Sequence, residues 1–285
     1  MKRARERASV FGPFPLALAM AEPRLGTTGR PHPSPSTSHC GPLAALFHDA
    51  DSPRASEQEV AWYVARLPRD AGTILQPMSG SGRMLAPLLD AGFTVHGVDV
   101  SEPRLASCAA RLASAGRDTQ LFRQDITALN LPFRYCAAFI AGGSFQLLTG
   151  RHAAIDVLLR IRAHLIDPGL LLLALSIPDQ AEHPPGAAVI EVRHVMLADG
   201  TQLACRSERV VDVQKRRIRT QSRYERRERS RIVAREDETI IMTWYDEEQI
   251  TTLLGDAGYR DVRIETHATT GDDARHFAVS ARASA

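Results

Sequence analysis

Hydrophobic and polar positions follow a repeated order along the chain from about Ser56 onward. Short apolar runs alternate with segments in which apolar residues recur every three or four positions, as they do on one face of a helix. The runs are Thr73–Leu75, Thr94–Val98, Gln120–Arg123, Tyr135–Ala141 and Gly169–Leu175, and the helical segments are Met84–Leu89, Glu102–Ala115 and Ala153–Leu165. Unbroken apolar strands that alternate with helices are typical of a parallel sheet buried on both faces. The pattern predicts a doubly wound α/β core.

The pattern changes after Pro178, where polar and apolar residues alternate and turn residues such as Asp199-Gly200 separate the runs. This alternation predicts an antiparallel meander. Its predicted strands are Val192–Leu197, Gln202–Val213, Arg217–Arg226 and Ile232–Trp244. A helix over Glu247–Ala257, with Asp246 as its N-cap, and two closing strands, Asp261–Glu265 and His276–Ala281, return to the core. We therefore divide the chain into a core, 43–178 and 246–285, and an antiparallel β insertion, 179–245.

The N-terminal residues 1–42 form a separate segment. Basic residues precede the apolar run Val10–Ala21, which gives the segment the look of a secretory signal, but Pro13 and Pro15 interrupt the run and Met20 offers a later start. We expect a disordered or mis-started leader and a cytoplasmic protein. The four cysteines contain no CxxC pair, so neither a zinc site nor a disulfide framework is indicated and no metal is predicted.

Composition limits the partners of the chain. With 285 residues, 44% of them hydrophobic, it can form one α/β domain with an appendage. The net charge of +2 gives no general reason to bind a membrane or nucleic acid. The insertion is locally basic between Lys215 and Arg231. This stretch could bind an acidic acceptor or RNA, but it has few interleaved aromatics, and we favour a solvated strand face. The oligomeric state is left open.

The loop Gln76–Gly82 joins the first strand to the first helix of the core. Backbone N–H groups at such a helix start can face an anionic ligand group. Asp99 ends the next strand, where a carboxylate can accept both hydroxyls of a ribose. Each feature also has a structural interpretation, a tight turn for the glycines and an N-cap for Asp99. Leu85 occupies the third glycine position of a dinucleotide fingerprint, which favours S-adenosylmethionine over a nicotinamide cofactor.

Residues Ile74–Ser101 resemble the first two motifs of class I S-adenosylmethionine-dependent methyltransferases, in the branch whose loop reads E-P-M-C-G-S-G-R. Gln124-Asp125-Ile126, the segment Gly143–Leu148 and the insertion before the last helix match as well, so the resemblance extends from Leu46 to Ala281. It implies a Rossmann-like, mostly parallel seven-stranded sheet with an antiparallel insertion after the fifth strand. It also implies S-adenosyl-L-methionine as the cofactor.

The resemblance assigns donor-binding roles to the loop. Gly80 and Gly82 would pack under the methionine portion of the donor, and Ser79 and Ser81 would line it. Gln76 stands where the family has an acid that binds the donor ammonium, and Ser79 stands where it often has cysteine. A neutral hydrogen bond is roughly half as strong as a charge-assisted one. We therefore expect Gln76 to weaken donor binding.

The ends of the next three strands complete the site that the resemblance implies. Asp99 would hold the ribose, Val100 would flank the adenine, Asp125 would accept from the adenine amine, and Ile126 would lie against the ring. The backbone of Ala141–Gly143, which includes Gly142, would hold the methionine amine.

The predicted reaction is methyl transfer to a small-molecule acceptor by in-line displacement, at nitrogen or oxygen rather than carbon. The segment after the fourth strand lacks the N/D-P-P-Y/F signature of DNA and glutamine methyltransferases. Phe145, Trp244 and Tyr245 are candidates for lining an acceptor pocket, and the insertion could act as its lid. No catalytic residue is assigned, because His152 and His194, the best-placed bases, are better explained as surface or helix-cap residues. The alternatives are a non-catalytic binder of the donor and a nicotinamide oxidoreductase.

Overall fold

The computed structural model describes residues 40–69, 71–178, 187–229, 231–267 and 274–283. Its helices are α1 (Pro42–Asp51), α2 (Glu57–Arg66), α3 (Leu85–Asp90), α4 (Glu102–Ser114), α5 (Arg151–His164) and α6 (Glu247–Asp256). Its strands are β1 (Ile74–Pro77), β2 (Val95–Asp99), β3 (Leu121–Arg123), β4 (Tyr135–Ile140), β5 (Leu165–Pro178), β6 (Ala188–Met196), β7 (Gln202–Asp212), β8 (Arg217–Glu228), β9 (Arg231–Thr243), β10 (Tyr259–His267) and β11 (Ala274–Ala283). The predictions for residues 1–39 and 179–186 lie outside these ranges.

Seven strands form one sheet in the order β10-β11-β5-β4-β1-β2-β3. The pairs β1/β2, β1/β4, β2/β3 and β4/β5 are parallel, whereas β11 is antiparallel to both β5 and β10. The predicted α/β, doubly wound and mostly parallel sheet is therefore confirmed. Since β1, β2 and β4 are parallel neighbours, their carboxyl ends meet at one edge of the sheet.

Helices cover both faces of this sheet, and all residues of β1 and β4 are buried. On one face, α2, α3 and α4 pack through side chains such as Tyr63, Leu85 and Leu112. On the other face, α5 and α6 pack through side chains such as Val157 and Leu253. Full burial of one such aliphatic side chain stabilises the fold by about 1.5–3 kcal/mol. This double cover keeps the loops at the carboxyl edge fixed relative to one another.

Strands β6 to β9 form a second, antiparallel sheet in sequential order. Gln146 joins the last strand of this sheet to β5: its fully buried amide donates to the carbonyl oxygens of Ser176 (2.9 Å) and Thr243 (3.0 Å). The same side chain accepts from the backbone N–H of Ser176 at 2.8 Å. One side chain therefore joins the end of β5 to the end of β9.

Helix α1, which the sequence analysis did not predict, packs against the second sheet. Phe47 of α1 contacts Tyr224 of β8, with 5.6 Å between ring centroids. Glu236 of β9 accepts from the backbone N–H groups of Leu43 (2.9 Å) and Ala44 (3.2 Å), which are at the start of the helix. The second sheet thereby supplies the carboxylate that an N-terminal helix end favours. No described helix has the length and apolar character needed to cross a bilayer.

Candidate functional site

The loop between β1 and α3 depends on two glycines with left-handed backbone. Gly80 has φ +56° and Gly82 φ +77°, a region that costs other residues energy. A Cβ at Gly82 would lie only 2.5 Å from Sγ of Cys108, so α4 packs directly against the loop. The carboxylate of Asp99 accepts from the backbone N–H of Gly80 at 2.8 Å and of Ser101 at 2.9 Å. Asp99 therefore links the ends of β1 and β2.

A cavity of about 220 Å³, which we call the loop cavity, lies at the carboxyl ends of β1 and β4. It brings together five of the predicted donor-binding residues, Gln76, Ser79, Gly80, Ser81 and Gly142. The side chains of Gln76 and Ser79 are buried, and their Oε1 and Oγ atoms have no hydrogen-bond partner. Buried polar atoms in native proteins are nearly always hydrogen-bonded. Two residues that line the loop cavity thus have buried oxygen atoms without a hydrogen-bond partner.

The remaining predicted donor-binding residues do not line the loop cavity. Asp99 ends β2, and Val100, which follows it, is exposed. Asp125 is exposed and its Oδ1 accepts from the backbone N–H and the hydroxyl of Thr127, both at 2.8 Å. Ile126 is buried in the core. Gly82 packs on α4 as described above.

Gly143 lines a second cavity of about 580 Å³, which we call the aromatic cavity. Trp62, Tyr63 and Phe277 are among its lining residues. The hydroxyl of Tyr63 is buried without a hydrogen-bond partner, and burial raises the pKa of this side chain, which stays neutral. Arg83 and Gly142 line both cavities, so the two spaces are adjacent.

The three aromatic residues predicted to line an acceptor pocket line neither cavity. Phe145 is fully buried in the core, and its ring centroid lies 6.0 Å from that of Tyr245. The hydroxyl of Tyr245 donates to the carbonyl oxygen of Leu148 at 3.4 Å. Trp244 is 3% exposed. These side chains make packing contacts, and the segment that follows β4 turns inward at Gly143.

His48 of α1 lines the loop cavity and was missed by the sequence analysis. Its Nε2 lies 3.0 Å from the hydroxyl of Tyr224, which donates at 3.0 Å to the buried carboxylate of Glu238. Burial, followed by the positive charges of Arg104 and Arg193, lowers the pKa of His48 to about 4. The imidazole is therefore neutral at pH 7. The apolar spacing of Leu43, Leu46, Phe47 and Ala50 would have revealed the helix that carries it.

The other candidate residues are exposed. His152, at the start of α5, and His194, in β6, both lie on the surface. Much of the basic charge of the insertion is paired: Arg223 bonds Asp237 at 2.7 and 3.0 Å, and Glu225 accepts from Arg227 and Arg235. Such pairing agrees with a solvated strand face. No group of His, Cys, Asp or Glu side chains in the described part of the chain is arranged to hold a metal ion.

Comparisons with known proteins agree with this architecture. A family model for a methyltransferase domain matches residues 74–169, which run from β1 into β5. The sugar N-methyltransferase KedS8 from a Streptoalloteichus species is 17% identical with a TM-score of 0.67, over 91% of this chain and 100% of that one. The methyltransferase CcbJ from Streptomyces caelestis is 21% identical with a TM-score of 0.65, over 87% and 99%. CalS10, an amino pentose methyltransferase from Micromonospora echinaspora, is 18% identical with a TM-score of 0.62, over 82% and 96%.

The likeness to these structures extends over 96–100% of their length and shows a shared fold. No curated protein is significantly similar to the chain in sequence. The resemblance to class I S-adenosylmethionine-dependent methyltransferases is confirmed by the match of the family model, which contains the loop, Asp99 and Asp125.

Proposed function

We propose that the chain transfers a methyl group from S-adenosylmethionine to an amino or hydroxyl group of a small molecule, since a family model for a methyltransferase domain matches residues 74–169. The observation that carries this proposal is the pair of buried, unpartnered acceptor atoms at the end of β1, Gln76 Oε1 and Ser79 Oγ. An ammonium group of a ligand would satisfy them. The donor has such a group at its methionine end.

The residues present fit this donor. Gln76, Ser79 and the backbone around Gly142 would hold the methionine end in the loop cavity, whose 220 Å³ is below the size of a complete ligand pocket. The carboxylate of Asp99 accepts two backbone hydrogen bonds, and its remaining lone pairs would accept from the ribose hydroxyls. Asp125 would accept from the adenine amine. When bound, the donor supplies an electrophilic methyl group on a sulfonium.

The aromatic cavity is the proposed acceptor site. It is adjacent to the loop cavity at Gly142, and its 580 Å³ lies within the range of small-molecule pockets. Its walls would orient the nucleophile and exclude water, and such positioning lowers a reaction barrier by about 7–11 kcal/mol. An amine needs no general base in its neutral form. The names of KedS8 and CalS10 support an amine on a sugar-like ring as the first acceptor class to test.

Two measurements test the proposal. Isothermal titration calorimetry should show that the protein binds S-adenosylhomocysteine, and that Asp99→Ala weakens binding on the order of 10- to 100-fold, the range of a lost charge-assisted hydrogen bond. Asp90→Ala is the matched control, since Asp90 is an exposed acid that pairs with Arg117. Absence of binding by the unmodified protein would refute the proposal.

Transfer of a tritiated methyl group from S-adenosylmethionine to a panel of amino sugars and their hydroxyl analogues then tests catalysis. Incorporation of label into the amino compounds is the expected result. Binding of S-adenosylhomocysteine without label in any amine or alcohol would favour the non-catalytic alternative, which the neutral Gln76 suggests.

A further inference from the structure

We propose that Arg83 binds the carboxylate at the methionine end of the donor, an inference that rests on the proposed function. Arg83 directly follows the loop and lines both the loop cavity and the aromatic cavity. Its Nη2 lies 3.7 Å from the position that a Cβ on Gly142 would occupy. The guanidinium therefore lies where the two cavities meet, beside the backbone that would hold the methionine amine.

Among the described residues, the guanidinium is paired through one of its three nitrogens. Glu59 of α2 forms an ion pair with Nη2, at 3.1 Å to Oε2 and 3.3 Å to Oε1. Glu59 lines only the aromatic cavity, so it approaches Arg83 from that side. The other two nitrogens, Nε and Nη1, make no hydrogen bond to any residue in the described ranges. A guanidinium has five N–H donors in a planar fork that matches a carboxylate, and most of them are therefore available to a ligand.

The charges in the loop cavity favour a carboxylate near Arg83. Gln76 is neutral, so the end of β1 contributes no negative charge to balance the arginine. The donor has a single anionic group, the carboxylate of its methionine end. The positive charge of Arg83 repels the ammonium group of the donor. Any stabilisation that Arg83 gives to the methionine end must therefore come from its attraction to the carboxylate.

Arg104, the other arginine of the loop cavity, lies beside Gly80. Its Nη1 is 3.3 Å from the position of a Cβ on Gly80, and the charges of Asp99 and Glu238 act on it. These contacts place it on the side where Asp99 would hold the ribose. The two arginines should thus act on different parts of the donor, Arg83 on the amino acid and Arg104 on the nucleoside.

This division can be measured with two ligands that differ only in the amino-acid part. S-adenosylhomocysteine carries the carboxylate and ammonium, and 5′-methylthioadenosine lacks both. By calorimetry, Arg83→Gln should weaken S-adenosylhomocysteine roughly 10- to 100-fold and change 5′-methylthioadenosine less than about threefold. Arg104→Gln should weaken both ligands to a similar degree. Arg117→Gln, which removes an exposed arginine, is the matched control and should change neither.

The outcomes separate the inference from the proposed function. If the unmodified protein binds neither ligand, the proposed function fails before any variant is compared. If it binds both and Arg83→Gln weakens them equally or not at all, Arg83 supports the fold through Glu59 and the inference is wrong. A loss confined to S-adenosylhomocysteine in Arg104→Gln would assign the carboxylate to Arg104 instead. Arg83→Lys keeps the charge without the fork and should retain part of the affinity. Thermal unfolding of each variant checks that it is folded.

Discussion

Replacement of Gln76 by glutamate tests whether the side chain at this position binds the ammonium group of the donor. The Gln76 side chain is 3% exposed and its Oε1 has no partner in the absence of a ligand. In Gln76→Glu a carboxylate oxygen takes the place of this amide oxygen without a change of shape. The variant should bind S-adenosylhomocysteine more tightly and be less stable without it.

The magnitudes follow from the difference between neutral and charge-assisted hydrogen bonds. A neutral bond contributes about 0.5–1.5 kcal/mol and a bond to a charged group about 1.5–3 kcal/mol. The gain of roughly 1–1.5 kcal/mol corresponds to an affinity increase of about 5- to 12-fold. Without ligand, the carboxylate oxygen at the buried Oε1 position has no hydrogen-bond partner, and its desolvation should lower the free energy of unfolding by about 1–3 kcal/mol.

Calorimetry with S-adenosylhomocysteine at pH 6 and pH 8 measures the first effect, and thermal unfolding with and without the ligand measures the second. Burial raises the pKa of a carboxyl group, so the gain in affinity should be larger at pH 8. Gln76→Met is the matched control: it fills the same space without a polar atom, and it should weaken binding while leaving the free protein as stable or more so. Equal affinity of all three proteins at pH 8 would refute the reasoning, because Oε1 would then not face the ammonium.

Three further predictions concern the scaffold of the site. Gly82→Ala should lower the free energy of unfolding by about 2 kcal/mol or more, because φ is +77° and the new Cβ would lie 2.5 Å from Sγ of Cys108. In urea unfolding, adding Cys108→Ala to this variant should recover only the part of the lost stability that comes from the clash with Sγ. Full recovery would show that the left-handed backbone contributes nothing to the loss. Burial and the charge of Arg104 lower the pKa of His48 from 6.5 to about 4 in the folded protein. As the pH falls, His48 is therefore protonated in the unfolded chain before it is protonated in the folded protein. The stability present above pH 6.5 is lost as the pH falls towards 4. His48→Gln should therefore flatten the dependence of urea unfolding on pH between 6.5 and 4.5, and an unchanged slope would contradict this. Gln146→Leu removes the four hydrogen bonds of the side chain and should lower the free energy of unfolding by about 3 kcal/mol or more. A loss below 1 kcal/mol in urea unfolding would show that water replaces the amide.

Local patterns were sufficient to predict the sheet and the loop. The strands of the core and of the insertion were predicted within a few residues of their ends. An unbroken apolar run indicates a strand buried on both faces, and alternation of polar and apolar residues indicates a strand buried on one face. Gly80, Gly82 and Asp99 could be assigned because the strand-loop-helix order places them at one edge. Each of these predictions depends only on residues that are close together in the sequence.

Residues brought together by tertiary packing were missed. His48 lines the loop cavity only because α1 packs on the second sheet, and the sequence separates it from Tyr224 by 176 positions. Phe145 was assigned to a pocket because it follows β4, yet the turn that begins at Gly143 buries it. Helix α1 itself was overlooked, although Pro42 at its first turn and its apolar spacing were visible.

The position of Gln146 has a consequence for how this fold can diversify. The side-chain amide of Gln146 binds both Ser176, near the end of β5, and Thr243, at the end of β9. The stretch of chain that contains the second sheet therefore begins and ends at neighbouring points. A β-sheet of another length or sequence could be exchanged between these two points while β1, β2 and their loop keep their register. The second sheet can thus vary while the loop between β1 and α3, which would hold the donor, stays unchanged.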